Sequence, residues 1–292
     1  MKWSLEFFPP KTEESLVRLH KSLYHIINAV STQKPEFVDV TFCAGSKQVG
    51  SSSNFELLCQ STLSLSSWIQ THLEVPACPH LVLRGLTLGN IHDYLERMKT
   101  LQITHVMALR GDCSVSNTDQ NLVYAVDLVK LIRKQYGEQL KIIVASYPEG
   151  HPECHGDISK DIQYLEEKIT AGADFTITQF FLSSEAYLRF KRLTNPSIKI
   201  IPGIILLSSQ SGLYRMVKLA GGSITVPLEI EDQIKELNAD QMREWGLQFA
   251  CRLCQELYDA GERFFHIYTL NADDTVCQLI QYLHHLGFCK GI

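Results

Sequence analysis

Apolar residues along the chain fall into two patterns that alternate from end to end. Short continuous apolar runs predict strands of a parallel sheet, because such strands are buried on both faces. Longer stretches repeat apolar residues every three or four positions, as at 16, 19, 23 and 26, and predict helices with one buried face. The predicted strands cover 4–8, 37–42, 80–83, 105–109, 141–147, 175–180, 199–205 and 264–270.

Helices are predicted between these strands, and their ends carry the expected signals. Thr12 precedes Glu13 and Glu14, which suits a capped helix start with acids in the first turn. Gly137 follows a helical stretch, where a left-handed C-terminal cap is expected. The other helices are predicted over 52–71, 88–100, 122–136, 157–171, 183–193, 211–220, 239–260 and 275–286.

Eight strands, each followed by a helix, predict an α/β fold of the (β/α)₈ TIM-barrel type. The long connection between strands 7 and 8 is expected to carry an extra helix. An open doubly wound sheet is the alternative. No linker-like stretch divides the chain, so residues 1–292 are expected to form a single domain.

Composition and charge narrow the class of protein. The 27 basic and 32 acidic residues give a net charge of −5, and no basic run is long enough to track phosphates, which argues against nucleic-acid binding. Nine scattered cysteines do not form a disulfide framework. Neither a signal peptide nor a membrane-spanning run is present. These features favour a protein of a reducing compartment, the cytoplasm.

In a barrel the active site lies at the C-terminal ends of the strands, which turns the predicted strands into a set of candidates. Glu6 lies between Leu5 and two phenylalanines, so lost solvation should raise its pKa toward the range useful for proton transfer. The alternative is a strand glutamate that faces solvent. Asp112 follows Arg110 and Gly111, and a glycine lets the backbone approach a ligand closely, so Asp112 is a second candidate. The alternative to a functional role is a structural ion pair between Asp112 and Arg110. The remaining strand-end candidates are Thr41, His80, Tyr147, His151, Gln179, Thr269 and Asn271.

Several other patterns are weaker. The stretch 45–51 lacks the lysine of a phosphate-binding loop, and no GxGxxG motif supports a Rossmann dinucleotide site. His151, Cys154 and His155 have metal-ligand spacing but no further ligand cluster, so no metal is predicted. Cys251 and Cys254 lie in a helical pattern, where packing is favoured over redox chemistry. No lysine ends strands 5 to 7, which weighs against a Schiff-base aldolase.

The strand ends, taken with their neighbours, resemble the methylenetetrahydrofolate reductase family. The matching stretches run in family order over nearly the whole chain: LEFFPPK at 5–11, VDVTF at 38–42, MALRGD at 107–112, YAVDLV at 124–129, YPEGHPE at 147–153, AGADFTITQFF at 171–181, IPGI at 201–204 and FHIYTLN at 265–271. The family fold is also a (β/α)₈ barrel. The resemblance covers the family's catalytic domain alone, so no S-adenosylmethionine-sensing domain is expected.

The resemblance implies a flavin enzyme. In this family FAD takes hydride from NADH or NADPH and passes it to 5,10-methylenetetrahydrofolate in ping-pong fashion. The product is 5-methyltetrahydrofolate, the methyl donor for methionine synthesis. The partners implied are these small molecules, without nucleic acid or membrane, in a homo-oligomer that is commonly a dimer or tetramer.

Residue roles carry over from the same resemblance. Glu6 matches the general acid that opens the folate ring to an iminium, Asp112 the acid near flavin and pterin that stabilises the cation, and Gln179 a residue that touches folate and nicotinamide in turn. Asp112 and Gln179 thus also match substrate-binding positions. Flavin-contacting positions match Thr41, Phe42, Ala44, His80, Arg110, Gly111, Asp112, Tyr124, Ala125, Tyr147, His151, Asp161 and Lys168. Asp161 and Lys168, two helical turns apart on one face, suit ribose and pyrophosphate.

The chain departs from the family pattern at a few positions. Ala272 stands where an arginine usually grips the folate glutamate tail, and Gly212 where some members have a folate-contacting glutamine. Val82 and Leu83 replace a threonine and a cysteine, and Glu167 stands where some bacterial members have arginine. Ala272 and Gly212 motivate one alternative, a non-catalytic folate- or flavin-binding homologue or partner subunit. A further alternative keeps the barrel without the flavin, as a reductase that passes hydride directly from nicotinamide to folate.

Overall fold

Nine parallel strands form a nearly closed barrel. A computed structural model describes residues 1–42, 52–111, 122–221 and 223–289. The strands run in the spatial order β7-β6-β5-β4-β3-β2-β1-β9-β8. Their bounds are β1 Lys2–Phe7, β2 Val38–Val40, β3 Ala77–Val82, β4 His105–Leu109, β5 Lys141–Ser146, β6 Phe175–Thr178, β7 Ile200–Ile201, β8 Gly203–Ile205 and β9 Phe264–Tyr268.

The two end strands of that order, β7 and β8, are the halves of one predicted strand. Pro202 separates them and has no N–H to donate to a ladder. β7 pairs with β6 and β8 pairs with β9, so this single run of chain closes the barrel. Counted in this way the nine strands are the eight predicted, and the (β/α)₈ expectation is confirmed over the open-sheet alternative.

Ten α-helices among the described residues surround the strands. Their bounds are α1 Glu13–Ile27, α2 Ser52–Leu73, α3 Leu88–Thr100, α4 Ala125–Tyr136, α5 Ile158–Thr170, α6 Ser184–Leu193, α7 Gln210–Leu219, α8 Leu228–Ile234, α9 Ala239–Asp259 and α10 Asp274–Cys289. None of the described helices is both long and apolar enough to span a bilayer.

Helix starts follow the local sequence. Thr12 caps α1, since its Oγ1 accepts a hydrogen bond from the Ser15 N–H at 3.2 Å. Gly137 follows α4 with a positive φ of 54°, which a residue without Cβ adopts readily. Between β8 and β9 lie α7, α8 and α9, one helix more than the pattern predicted. α8 has two turns after Pro227, too short to give a readable periodicity.

The core has two parts. The larger packs between strands and helices, as Leu5, Leu23 and Leu279 do. The smaller fills the barrel interior, which we call the lumen, with Phe37, Cys78, Met107, Ile143, Phe175, Ile177 and Ile201. The lumen therefore has an apolar floor, and the C-terminal strand ends above it are free to hold polar side chains.

Candidate active site

Glu6, the acid predicted at the end of the first strand, lies near the end of β1. In β1 the residues Trp3, Leu5 and Phe7 face the helices, and Ser4 and Glu6 alternate with them toward the lumen. The Glu6 side chain is 13% exposed, and its Oε2 is 3.5 Å from Nε2 of His80. Burial raises the pKa of this carboxyl to about 8, so the group is protonated at neutral pH. The expected shift of Glu6 is thus present, and the solvent-facing alternative is wrong.

His80 and His266, two histidines of the lumen, carry no charge. Burial lowers the pKa of His80 and of His266 to about 3. No cation therefore offsets the acid from this side. Nε2 of each ring is buried without a hydrogen-bond partner among the described residues.

The strand that follows β1 in space braces it at Glu6. The Thr269 hydroxyl donates to the Glu6 carbonyl oxygen at 2.6 Å. The Asn271 side chain clamps the backbone of Phe8, accepting from its N–H at 2.9 Å and donating to its carbonyl at 3.0 Å. Asn271 has a positive φ of 59°, which asparagine tolerates better than most residues. These contacts fix the chain at the acid and two residues beyond it.

Gln179 directly follows β6. Its backbone N–H donates to the Ser146 carbonyl at 2.7 Å, and its side-chain oxygen accepts from the Phe180 N–H at 3.0 Å. The lumen residues Ile177 and Phe175 lie two and four positions before it, so Gln179 continues the inward face at the mouth of the barrel.

The predicted flavin contacts on β2 and β3 lie at the same mouth. Thr41 is buried, and its Oγ1 has no hydrogen-bond partner among the described residues, although its N–H donates to the Phe7 carbonyl at 3.0 Å. Phe42 is buried against Tyr94 with 5.5 Å between the ring centroids. Of the other predicted site residues, Ala44 and Asp112 lie outside the described residues.

Arg110 and Gly111 follow β4. The guanidinium of Arg110 makes a bidentate pair with the Glu153 carboxylate. Gly111 has a φ of 86°, and a Cβ there would lie 2.2 Å from Cγ1 of Val82. Any side chain at 111 would therefore clash with Val82, one of the positions that depart from the family pattern.

A second group of predicted contacts gathers around the end of β5 and the start of α5. The rings of Tyr147 and His151 meet edge to face at 4.7 Å. The Asp161 carboxylate accepts from the His151 N–H and from the Cys154 thiol. Lys168 donates from Nζ to the Ala145 carbonyl at 2.6 Å, and burial lowers its pKa to about 8, although Asp161 favours its charged form.

Tyr124 and Ala125 open α4, where Tyr124 is the half-exposed N-cap and its N–H donates to Asp127 at 2.9 Å. Their position at a helix start is compatible with a ligand contact. The assignment of this set to flavin stays a prediction.

The cysteine pair Cys251 and Cys254 has an ordinary packing role. Cys251 and Cys254 lie on α9, and burial raises the pKa of both thiols, which removes the thiolate that redox chemistry needs. A different cluster, not predicted from the sequence, joins α1 and α10. There His25 Nδ1 lies 2.8 Å from an Asp273 oxygen, and the Cys277 sulfur lies 3.7 Å from the same oxygen.

Sequence reasoning missed the polar residues deeper in the lumen. Asp39 and His266 are fully buried, with 3.6 Å between Oδ2 and Nδ1, and Nδ1 also meets the Ser4 hydroxyl at 2.9 Å. The available signal was a carboxylate and an imidazole inside otherwise apolar strand runs, VDV and FHI. An ionisable side chain in such a buried strand must face either solvent or the interior of the barrel.

Comparison with known proteins places these strand ends in a family. A profile of methylenetetrahydrofolate reductase matches residues 1–284. The chain belongs to the methylenetetrahydrofolate reductase family. It is 31% identical over 300 residues to maize methylenetetrahydrofolate reductase (NADH) 1, covering 96% of this chain and 48% of the maize protein. It is also 31% identical to 5,10-methylenetetrahydrofolate reductase of Buchnera aphidicola, covering 95% of this chain and 90% of that one.

The chain spans about half the length of the plant and yeast relatives it matches. A solved structure with the same fold is an uncharacterized Clostridium thermocellum protein that binds two copies of 5-methyl-5,6,7,8-tetrahydrofolic acid. Its TM-score is 0.65 at 16% identity, with 98% of this chain and 96% of that chain covered. That likeness supports the barrel.

Proposed function

We propose that this chain reduces 5,10-methylenetetrahydrofolate to 5-methyltetrahydrofolate with NADH or NADPH, through FAD and in ping-pong fashion. The observation that carries the proposal is the buried, protonated Glu6 at the mouth of a barrel of this family. An acid with a pKa near 8 keeps its proton at neutral pH and can still release it to a substrate nitrogen. We also propose that the product feeds methionine synthesis in the cytoplasm, and that the enzyme is a homo-oligomer.

Glu6 is assigned the role of general acid. Its proton would go to a nitrogen of the folate imidazolidine ring, whose opening leaves a cationic iminium. The neutral states of His80 and His266 support this role, because a nearby cation would lower the pKa of Glu6 and leave it without a proton to give.

The residues at the strand ends fit a flavin. Two buried polar atoms at the mouth have no hydrogen-bond partner among the described residues, and a ring edge with polar atoms would satisfy them: Thr41 Oγ1 and His80 Nε2. Lys168 and Arg110 supply cations suited to a pyrophosphate. FAD bound there would accept and return hydride. Asp112 and Gln179 are proposed to contact the folate beside it.

A second candidate function is binding of a reduced folate without catalysis. Two observations favour it, Ala272 in place of the tail-gripping arginine and the folate bound by the Clostridium thermocellum neighbour. The protonated Glu6 argues for catalysis, because binding alone does not require a buried acid, which destabilises the fold.

The test is an anaerobic visible spectrum of the purified protein, taken before and after NADH or NADPH and then after methylenetetrahydrofolate. We expect a yellow protein that bleaches with the nicotinamide and recolours with the folate. Bleaching without recolouring would favour the binding candidate. A colourless protein that FAD does not reconstitute would overturn the flavin assignment.

The matched variant is Glu6→Gln, which keeps the shape of the side chain and removes the acid. It should bleach at a rate close to that of the unmodified protein and fail to recolour. Loss of both steps with FAD still bound would contradict the role given to Glu6.

A further inference from the structure

A second carboxyl group lies beside Glu6 in the lumen. Asp39 on β2 is the register partner of Glu6 on β1, and partners in a parallel pair point their side chains to the same face. On its other side Asp39 is the register partner of Cys78, a residue of the inner apolar cluster. Strands lie about 4.8 Å apart, so the two acids are nearest neighbours across one strand pair. The Asp39 side chain is 0% exposed.

No residue in the described part of the chain supplies a positive charge next to Asp39. The titratable groups that face it among the described residues come from three strands: Glu6 from β1, Cys78 and His80 from β3, and His266 and Tyr268 from β9. Both histidines are neutral, and burial raises the pKa of Cys78 and of Tyr268, so these two are neutral as well. The opposite wall of the lumen is apolar, with Met107, Ile143 and Ile177.

The carboxyl of Asp39 is also short of hydrogen bonds. Neither oxygen accepts a hydrogen bond of ordinary geometry among the described residues: the His266 Nδ1 lies 3.6 Å away, and the neighbouring Cys78 thiol is only a weak donor to this carboxyl. An ionised carboxylate in such a place is strongly disfavoured, because neither water nor a cation replaces its lost solvation. Burial accordingly raises the pKa of Asp39 well above its usual value. The weak hydrogen bond from the Cys78 thiol offsets a part of this rise, and Glu6 raises the pKa further.

We propose that Asp39 is a positioning residue for Glu6: it keeps its own proton through the reaction and donates a hydrogen bond, directly or through one water, to the carboxylate that Glu6 becomes. The proton balance is simple. Glu6 gives its proton to the folate nitrogen, Asp39 retains its proton, and Glu6 is reprotonated from solvent at the open mouth. The identity of the proton acceptor rests on the proposed function, whereas the charge state of Asp39 does not.

A neutral partner has an advantage over a charged one. An anionic Asp39 would repel the charge left on Glu6 and make Glu6 too weak an acid. A protonated Asp39 has the opposite effect, because a hydrogen bond to the charged form of an acid lowers its pKa. Burial thus keeps Glu6 protonated at rest, and the hydrogen bond from Asp39 lets Glu6 give up its proton. Because the two carboxyls interact, the two observed pKa values belong to the Glu6–Asp39 pair and not to either residue alone.

The first test measures the charge of Asp39 without catalysis. Infrared difference spectra at neutral pH would compare the unmodified protein with Asp39→Asn, and the exposed Asp232→Asn would serve as the control. Glu6 is protonated as well, so we expect one carbonyl band of a protonated carboxyl to vanish in Asp39→Asn while the band of Glu6 remains, and both bands to persist in Asp232→Asn. If Asp39→Asn removes only the bands of an ionised carboxylate, the proposal is overturned.

The second test follows the pH dependence of recolouring by the folate, with bleaching by the nicotinamide as the internal reference. Asp39→Leu removes the donor, so the alkaline midpoint assigned to Glu6 should rise and recolouring should slow about three- to tenfold. Asp39→Asn keeps a neutral donor and should keep the midpoint within about half a unit.

Either of two results would overturn the proposal here. One is an alkaline midpoint that is unchanged in Asp39→Leu. The other is a midpoint that falls by about one pH unit or more in Asp39→Asn, because that fall would show that Asp39 is charged in the unmodified protein. If Asp39→Leu does not fold, the Asp39→Asn profile and the infrared spectra still decide. If the unmodified protein never recolours, the proposed function fails, while the infrared result still decides the charge of Asp39.

Discussion

At the scale of the residue, Glu6 couples acid chemistry to the stability of the fold. Its pKa is about 8 in the folded chain against 4.5 for an unperturbed glutamate side chain, so between those values the folded state binds more protons than the unfolded state. Stability contributed by the protonated acid is complete below pH 4.5 and is lost as the pH rises toward 8. The same burial that keeps the proton on Glu6 therefore destabilises the protein at neutral pH.

Glu6→Gln should for this reason raise stability. Glutamine does not ionise, so its free energy of unfolding lacks the pH-dependent loss, and at pH 7 we expect a gain on the order of 2–3 kcal/mol. Urea unfolding of both proteins at pH 5 and pH 7.5 would measure it. The gain should grow with pH, and a gain that is equal at both values would contradict the raised pKa of Glu6.

The residue scale also shows what the sequence could and could not predict. Glu6 was identifiable because it sits at a strand end, where the barrel rule places active-site groups. Asp39 and His266 were not singled out, because a buried run such as VDV does not reveal which of its faces meets the helices and which meets the lumen. Only the closed barrel brings these two residues together across β1.

At the scale of the element, the loops that follow β1 and β9 are joined by one side chain. Asn271 makes both hydrogen bonds of Phe8 that a neighbouring strand would otherwise make, two residues beyond Glu6. The clamp extends the pairing of β1 and β9 past the last ladder partners, Glu6 and Tyr268. Asn271 thereby fixes the end of β1, which carries Glu6, although β9 has ended and no strand residue pairs with Phe8.

Two substitutions at Asn271 separate the effect of its side-chain hydrogen bonds to Phe8 from the effect of its positive φ. Asn271→Ala loses both hydrogen bonds and puts a residue that tolerates the left-handed region less well than asparagine at a φ of 59°, so we expect a loss of about 2 kcal/mol in the free energy of unfolding. Asn271→Gly loses the same bonds without the strain, and we expect about 1 kcal/mol. Chemical denaturation would measure both, and equal losses would show that the positive φ carries no penalty.

Element bounds were predictable where the local signals were strong. The limits of β4 and of α3 match the pattern, because the apolar run and the Thr87 cap mark them. The run 199–205 gave no sign of a break, since Pro202 is apolar and its missing N–H matters only once β6 and β9 lie on either side. Whether a proline ends a strand or joins two halves is decided by neighbours far along the chain.

At the scale of the whole molecule, the barrel closes at a close approach of three strands around Gly203. β8 begins at Gly203, whose N–H donates to the Thr178 hydroxyl at 2.9 Å. The Tyr268 ring crosses the same point to donate its hydroxyl to the Thr178 carbonyl at 2.7 Å. These contacts join β6, β8 and β9, and only a residue without a side chain leaves room for the tyrosine.

Gly203→Ala should therefore destabilise the closed barrel. The added Cβ would lie 2.3 Å from the Thr178 carbonyl oxygen and 2.6 Å from Cε2 of Tyr268, and neither the backbone nor the packed ring can retreat freely. We expect a loss of about 1–3 kcal/mol in the free energy of unfolding, measured by urea denaturation. The matched control is Gly89→Ala in the first turn of α3. The atom nearest to the new Cβ there is Thr87 Oγ1 at 3.7 Å, which is an ordinary contact, so alanine should be neutral or stabilise by up to about 1 kcal/mol.

The same pair of variants also tests the site. Because Tyr268 is the register partner of Glu6, its displacement should shift the alkaline limb of the pH profile of folate reduction in Gly203→Ala and leave that limb unchanged in Gly89→Ala. Equal stability of the two variants would show that the barrel does not depend on the close approach at Gly203.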